Sequence, residues 1–472
     1  MFVGREREMR VLRDAYDSPK SELVVIYGRR RIGKSSLVNR FLQGEMPSLV
    51  FEGIEGEQTD EQIKHFTVAL RVQTRDPLLA GARFRNWEHV FTHITERVVT
   101  DESRKGKLVL FFDEVPWMAA GRGHLVSLLK YYWDNHWKER NVMLVLCGSV
   151  ASFMVKRVLR SKALYGRITV EVLLKGLLPS EAADLFHGQR SETEILKYLL
   201  VFGGIPKYLE EIRLNRSFAQ NMNRLCFSKD APLTREVDRV FYSQFREART
   251  YRRIVSVLRQ RMLSLEALSK RLGMASGGGL KLYLQNLEDA EIIRSFLPFG
   301  KGVRSKLRTY ALADEYLHFH YKYIEPNRRT IAESESHGLF ELLTARSFDI
   351  WLGFAFERFC IKHATQLAAI MGFGDRVLNA APYYERGDER FQIDLLFRRG
   401  DGVITICEIK CRDQPISTKV IPEVERKCGL VRLPRGNTCE RALVSLNGPD
   451  EPLRDTGYFH HCVTLHQILA GR

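Results

Sequence analysis

Leu23-Val24-Val25-Ile26-Tyr27-Gly28-Arg29-Arg30-Arg31-Ile32-Gly33-Lys34-Ser35-Ser36 is the stretch that decides the fold of this 472-residue chain. The apolar run at its start reads as a buried strand, and the segment from Ser36 to Leu42 reads as a helix. Between them lies G-x-x-x-x-G-K-[ST], the phosphate-loop pattern. Its glycines let the backbone curl so that N–H groups point at phosphate oxygens, and the helix N-terminus adds the positive end of its dipole. Gly28, Arg29, Ile32, Gly33, Lys34, Ser35 and Ser36 are the expected contacts to a nucleotide. Lys34 would reach the β- and γ-phosphates, and Ser35 would offer its hydroxyl to Mg²⁺. ATP and Mg²⁺ are the cofactors this implies.

Working outward, residues 1–175 alternate strand-like and helix-like segments. Strands are expected at Leu23–Tyr27, Ser48–Phe51, Leu108–Phe112 and Val142–Cys147, with helices such as Glu61–Val72 and Leu125–Trp133 between them. Such alternation implies a parallel sheet covered by helices on both faces. Residues 176–249 read as helices, beginning near Pro179. Residues 250–329 then give a helix at Leu265–Leu272 capped by Ser264, a turn at Gly273, a helix at Leu280–Ala290 and two strand-like pieces. Helix, turn, helix and β-hairpin is the order of a winged helix. Residues 330–339 read as a polar linker, and a last domain fills 340–472. The expected fold class is α/β multidomain: a P-loop core with a helical lid, a winged helix and a C-terminal α/β domain.

Seventy-three Lys and Arg against 57 Asp and Glu give a formal charge of +16, which favours a polyanionic partner. No apolar run is long enough for a membrane span, and no signal peptide opens the chain, so a cytoplasmic protein without a membrane partner is expected. The eight cysteines form no C-x-x-C pair and read as reduced thiols. A zinc site drawn from Cys428, Cys439, His460, His461 and Cys462 is a weaker alternative.

Hydrolysis of ATP needs a metal-side carboxylate and a base that orients water. Leu108-Val109-Leu110-Phe111-Phe112-Asp113-Glu114 ends a buried strand on both. Asp113 would hold Mg²⁺ through water, and Glu114 would polarise the attacking water. Ser149, after the next strand, reads either as a γ-phosphate sensor or as a helix N-cap. Arg167 reads as an arginine finger, in cis or towards a neighbouring subunit, or as an ordinary surface arginine. These residues resemble the archaeal-type ATPases of the AAA+ and signal-transduction ATPase group. The opening Phe2-Val3-Gly4-Arg5-Glu6-Arg7-Glu8 is similar to that group's N-terminal box. The resemblance implies adenine-side contacts from Val3, Gly4 and Arg5. Gly203-Gly204-Ile205-Pro206 resembles the lid element that brings Pro206 to the same side. A second arginine sensor does not stand out in the lid. The class often supplies its finger in trans, which implies a homo-oligomer.

A second motif set lies near the C-terminus. Phe391-Gln392-Ile393-Asp394-Leu395-Leu396-Phe397 and Val403-Ile404-Thr405-Ile406-Cys407-Glu408-Ile409-Lys410 read as a hairpin. Alternation puts Glu408 and Lys410 on one face. If the strands pair, Asp394 and Glu408 can share one divalent metal, Mg²⁺ or Mn²⁺, and Lys410 can orient water and offset phosphate charge. The set resembles the PD-(D/E)xK nuclease superfamily, with Glu357 in Gly353-Phe354-Ala355-Phe356-Glu357-Arg358-Phe359 matching its acidic helix. Ile393 stands where the nominal motif has proline. Gln414, just past the strand, is a further candidate. The bland reading is a hairpin whose acids and lysine simply pair.

In the winged-helix region Lys281, Tyr283, Gln285 and Asn286 would reach a groove or backbone, and Arg294, Lys301, Arg304, Lys306 and Arg308 would make the hairpin basic. DNA contact and internal packing both fit. The resemblances together imply an ATP-dependent nuclease acting on DNA. The competing expectation is a nucleotide-dependent switch or oligomerising scaffold whose C-terminal domain binds without cutting.

Overall fold

The computed structural model describes residues 2–44, 46–101, 103–120, 124–149, 153–245, 247–259, 261–297, 299, 305, 307–334, 338–385, 391–431 and 435–471. After helix α1 (Glu6–Asp17), strands β1 (Glu22–Tyr27), β2 (Ser48–Glu52), β3 (Leu108–Asp113), β4 (Val142–Gly148) and β5 (Val170–Leu173) form one sheet in the order β2-β3-β4-β1-β5. Every pairing in it is parallel. Val24 and Ile26 enter one buried cluster while Leu23, Val25 and Tyr27 enter another, so β1 is apolar on both faces. That is why it reads as an unbroken apolar run. β5 has no counterpart among the expected strands. It is a short edge strand with Glu171 between two valines, a weaker signal than a central strand gives.

The phosphate loop joins β1 to α2 (Lys34–Phe41). Helices α3 (Pro179–Ala183), α4 (Glu192–Phe202), α5 (Pro206–Leu209), α6 (Phe218–Cys226) and α7 (Glu236–Gln244) follow the sheet. Next come α8 (Ala248–Leu258), β6 (Leu263–Ser264), α9 (Leu265–Leu272), α10 (Gly278–Asp289), β7 (Ile293–Phe296), β8 (Thr309–Leu312) and α11 (Glu315–Phe319). β6, β8 and β7 form a three-stranded antiparallel sheet. The Ser264 hydroxyl accepts from the Ala267 N–H at 3.2 Å, and Gly273 closes α9 at φ 62°, as the sequence predicts. Lys301, Arg304 and Lys306 lie outside the described residues.

The C-terminal part contains α12 (Phe348–Lys362), α13 (Ala364–Ile370), β9 (Val377–Glu385), β10 (Phe391–Arg399), β11 (Val403–Lys410), α14 (Ile421–Leu430), β12 (Thr438–Ser445), β13 (His461–Thr464) and α15 (Leu465–Ala470). Its five-stranded sheet runs β13-β12-β11-β10-β9, antiparallel across β9, β10 and β11 and parallel from β11 to β13.

The expected linker differs from what is found. Residues Arg328–Glu333 form a helix whose Ile331 is fully buried. A single buried cluster runs from Leu12 and Ile26 through Tyr198, Phe319 and Trp351 to Val444 and Ile468. The lid helices and the C-terminal part therefore share apolar packing, and the polar residues near 330 cover that packing instead of spanning a gap. Two of the zinc candidates are otherwise engaged: the His461 ring meets the Glu440 carboxylate at 2.9 Å, and His460 Nδ1 accepts from the Arg441 N–H.

Candidate functional sites: a nucleotide cavity and a carboxylate cluster

At the carboxyl end of the parallel sheet lies a cavity of about 780 Å³. Its floor is the loop, through Arg31, Ile32, Gly33, Lys34, Ser35 and Ser36, and Glu114 faces it from β3. Phe2, Val3 and Arg5 close one side, and Leu177, Leu185 and Pro206 of the lid close the other. Local geometry explains the loop's residue types. Gly28 has φ 148°, and a Cβ there would sit 2.4 Å from the Leu174 carbonyl oxygen. Gly33 has φ 85° and Arg31 φ 71°, so successive N–H groups turn towards the cavity.

The Lys34 ammonium is buried and donates to the Arg29 carbonyl at 2.9 Å. Burial pulls its pKa below the ordinary lysine value. Gly4 and Arg5 both have positive φ. The Arg5 N–H donates to Glu181 at 2.6 Å, and its guanidinium donates to the Ile32 carbonyl at 3.0 Å. The N-terminal segment thus buttresses both loop and lid.

Asp113 is buried at the end of β3, its carboxylate accepting the Glu114 N–H at 2.9 Å. Glu114 adopts a left-handed conformation at φ 49°. Its Oε2 accepts from the Ser149 hydroxyl at 2.7 Å and from the Ser149 N–H at 3.1 Å. Ser149 therefore holds Glu114, a partner that neither sequence reading named. ATP fits this site: the cavity has room for it, and the glycine-lined turn leaves it open to phosphates.

Two expected contacts are placed elsewhere. The Arg29 side chain turns away from the cavity into a buried ion pair with Asp314. Arg167 precedes β5, beside Thr169, whose N–H donates to the Leu23 carbonyl at the amino end of β1. That is the end of the sheet opposite the loop. Its guanidinium makes a bidentate pair with Asp134, at 2.6 and 2.8 Å. Within one chain it cannot reach a nucleotide in this cavity, because a parallel sheet places its loops at opposite ends.

In the C-terminal sheet, Leu395 faces Cys407, so Asp394 and Glu408 are opposed across the hairpin. There the backbones part, and Asp394 Oδ2 accepts the Ile409 N–H at 3.0 Å. Glu408 is 2% exposed, with one oxygen contacting Lys410 and the other accepting from Lys427 at 2.7 Å. Lys427 on α14 is the residue the sequence reading missed. Its signal is the spacing from Val424, which puts both on the buried face of the helix. Burial lowers the Lys427 pKa, but Glu408 outweighs it and the net shift is upward.

Burial, then the neighbouring Asp394, pushes the Glu357 carboxyl up to about 7. Asp394 is likewise raised, by burial and then by Glu408. Tyr384, on β9, is pushed up to about 12 by burial and by the same two acids. Helix glutamate, strand aspartate and E-x-K are thus brought together. Gln414 is exposed, and no contact joins it to them. Among the described residues no three His, Cys, Asp or Glu side chains converge closely enough to enclose a metal ion. Asp394 and Glu408 are the hard oxygen donors that Mg²⁺ or Mn²⁺ takes, and their crowding is what a cation relieves. The donor set fits such an ion once a lysine yields its place on Glu408.

Residues 2–212 match the profile of a family described as an ATPase domain predominantly from Archaea. An uncharacterized protein of Methanocaldococcus jannaschii is 28% identical over 92% of this chain and 93% of its own length. An uncharacterized ATP-binding protein of the same organism is 40% identical over 45 residues, covering 10% of this chain and 76% of that protein. Among solved structures, a Walker-type ATPase of Pyrococcus abyssi is 20% identical, with a TM-score of 0.46 over 68% of this chain and 96% of that one. The parallel sheet, the loop after β1 and the family match agree. Residues 2–212 carry an archaeal-type ATPase domain. No described helix is long and apolar enough to cross a membrane.

Proposed function

We propose that this protein hydrolyses ATP and cuts nucleic acid, DNA by preference, with its nucleotide state gating or assembling the C-terminal site. In the ATPase domain, Lys34 and the loop N–H groups bind the phosphates, and Ser35 and Asp113 hold Mg²⁺. Glu114, fixed by Ser149, orients the attacking water. A finger role for Arg167 requires contact in trans, in a homo-oligomer.

The observation that carries the nuclease reading is the opposition of Asp394 and Glu408 beside Glu357 and Lys410. A divalent cation held by Asp394 and Glu408 would lower the pKa of water and offset charge on the scissile phosphate. Lys410, released from Glu408, orients the nucleophile. Glu357, with a carboxyl near neutrality, is suited to exchange a proton with solvent at the leaving oxygen. The unit formed by α9, α10, β7 and β8 reads as a winged helix that lends basic surface to the substrate.

Gating is supported by a path between the sites. Arg29 of the phosphate loop pairs with Asp314, which also caps α11 by accepting the Leu317 N–H at 2.6 Å. The next residue, Glu315, accepts from Lys362 at 2.7 Å, and Lys362 closes the helix that carries Glu357. A change in the loop thereby bears on α12.

A second reading is favoured by one observation: both Glu408 oxygens are already matched by lysines, as in a binding-only domain. Cleavage of single- and double-stranded DNA with Mg²⁺ or Mn²⁺, with and without ATP, separates the two. Metal-dependent cutting that Glu408→Ala abolishes and Lys34→Ala alters is expected. Intact ATP hydrolysis with no cutting of any substrate would move the assignment to a nucleotide-dependent switch or scaffold.

A further inference from the structure

We infer that the cavity between the β6–β8 unit and the C-terminal sheet holds one unpaired nucleotide, phosphate and base, of the strand presented to Asp394 and Glu408. The assignment names the substrate form for the nuclease reading and rests on it for the position of the cut. The cavity measures about 260 Å³. Arg259, Arg261, Arg294 and Phe296 line it from one side. Phe354, Arg358, Tyr384 and Gln392 line it from the other, and Glu357 forms part of the same wall. Glu357 and Tyr384 of this lining are also near enough to Asp394 to feel its charge, so the cavity adjoins the carboxylate cluster.

Three features select the ligand. The first is charge. Among the described residues Arg261, Arg294 and Arg358 form no ion pair. Arg294 donates to the Ile361 carbonyl at 3.1 Å and lies over the Phe296 ring at 5.7 Å, and Arg358 lies over the Trp351 ring at 5.9 Å with the Glu357 charge nearby. Cations in a recess where they outnumber Glu357, the one carboxylate among its described lining residues, are relieved by an anion, and a phosphodiester is the anion adjacent to a nuclease centre. The second is surface type. Phe354 and Tyr384 are 56% and 45% exposed, leaving ring faces open at the cavity. Basic groups interleaved with open aromatic faces are the pattern on which unpaired bases stack. The third is size. The volume lies just below the roughly 300 Å³ at which small-molecule sites begin, room for one nucleotide unit and not for a base pair. A duplex cannot enter between the two walls, so the strand must arrive single, frayed or as a flap.

The test uses the full chain in EDTA, so that binding is read without cutting. Fluorescence anisotropy is measured with a labelled oligothymidylate, the matching oligouridylate and a blunt duplex. Either single strand is expected to bind about tenfold tighter than the duplex. Arg261→Glu and Phe354→Ala, both at exposed positions, are each expected to weaken strand binding about tenfold. Arg346→Glu, exposed and outside the cavity, makes the same charge change and should leave it within about twofold. Equal affinity for duplex, or unchanged strand binding in both cavity variants, overturns the assignment. Cleavage in Mg²⁺ is run in parallel. If nothing is cut while Arg261→Glu still weakens strand binding, the nuclease reading fails and the nucleotide pocket stands. If the wild type cuts and both cavity variants bind like it, the pocket fails and the nuclease reading stands.

Discussion

The two sheets of this molecule both end in acidic residues, but they treat them differently. At the end of β3, Glu114 faces an open cavity beside the buried Asp113, and the Lys34 ammonium in that cavity is turned to a backbone carbonyl. At the end of β11, Glu408 is closed over by two lysines of its own chain. A parallel sheet leaves its strand ends free, because each connection crosses over and returns. A hairpin next to a packed helix brings its own partners. The first site is left open, while the acid of the second is already matched by its own chain.

The largest expected effect tests the open site. Lys34→Ala should lower ATP turnover by about 100-fold or more while leaving the C-terminal sheet folded, read by phosphate release and by circular dichroism. Turnover near the wild-type rate would deny the cavity its role.

Glu408→Gln breaks the closed site. Lys427 would be left buried without its partner, which costs about 3–5 kcal/mol of stability, measured by urea unfolding. Adding Lys427→Met should recover most of that stability. Cutting should stay lost in the double variant if Glu408 serves the reaction, and restored stability with cutting intact would make the pair structural only.

Asp314→Asn bears on the link between the sites. It removes the buried partner of Arg29 and weakens the cap of α11, so a loss of about 3 kcal/mol is expected. Any ATP dependence of cutting should fade in this variant while basal cutting persists. Unaltered ATP dependence would show that the path through α11 carries no signal.

The joint between the halves should also respond to pH. Burial holds His320 at about 4 and His363 at about 3, and places His318 well below the ordinary 6.5. The folded state keeps these rings neutral while the unfolded chain protonates them. The contribution of these histidines to stability should therefore be complete above about pH 6.5 and fall as pH drops towards 4, because the unfolded state binds more protons on them there, while the raised Glu357 carboxyl works in the opposite sense. His320→Phe should flatten that slope in urea midpoints taken across the range.

Much of this was legible in the sequence. Four strands of the parallel sheet fall within a residue or two of their apolar runs, since a strand buried on both faces leaves little freedom of register. The strands at Phe391 and Val403 were likewise readable, as was the shared face of Glu408 and Lys410, which follows from strand periodicity alone. β5 was missed because an edge strand needs only half an apolar pattern.

The sequence by itself determined the chemistry on offer: a phosphate loop, an acidic pair after a buried strand, and an acid–acid–lysine set on a hairpin. Those are local features, set by short-range backbone geometry. Only the tertiary structure decided which residues answer one another. It turned Arg29 from the nucleotide to Asp314, put Arg167 at the far end of the sheet, gave Glu114 its Ser149 and Glu408 its Lys427, and joined two halves through a shared core. These pairings span tens to hundreds of residues. A charged side chain entering the interior must find its counter-charge in whatever element packs there, and no local pattern specifies that element.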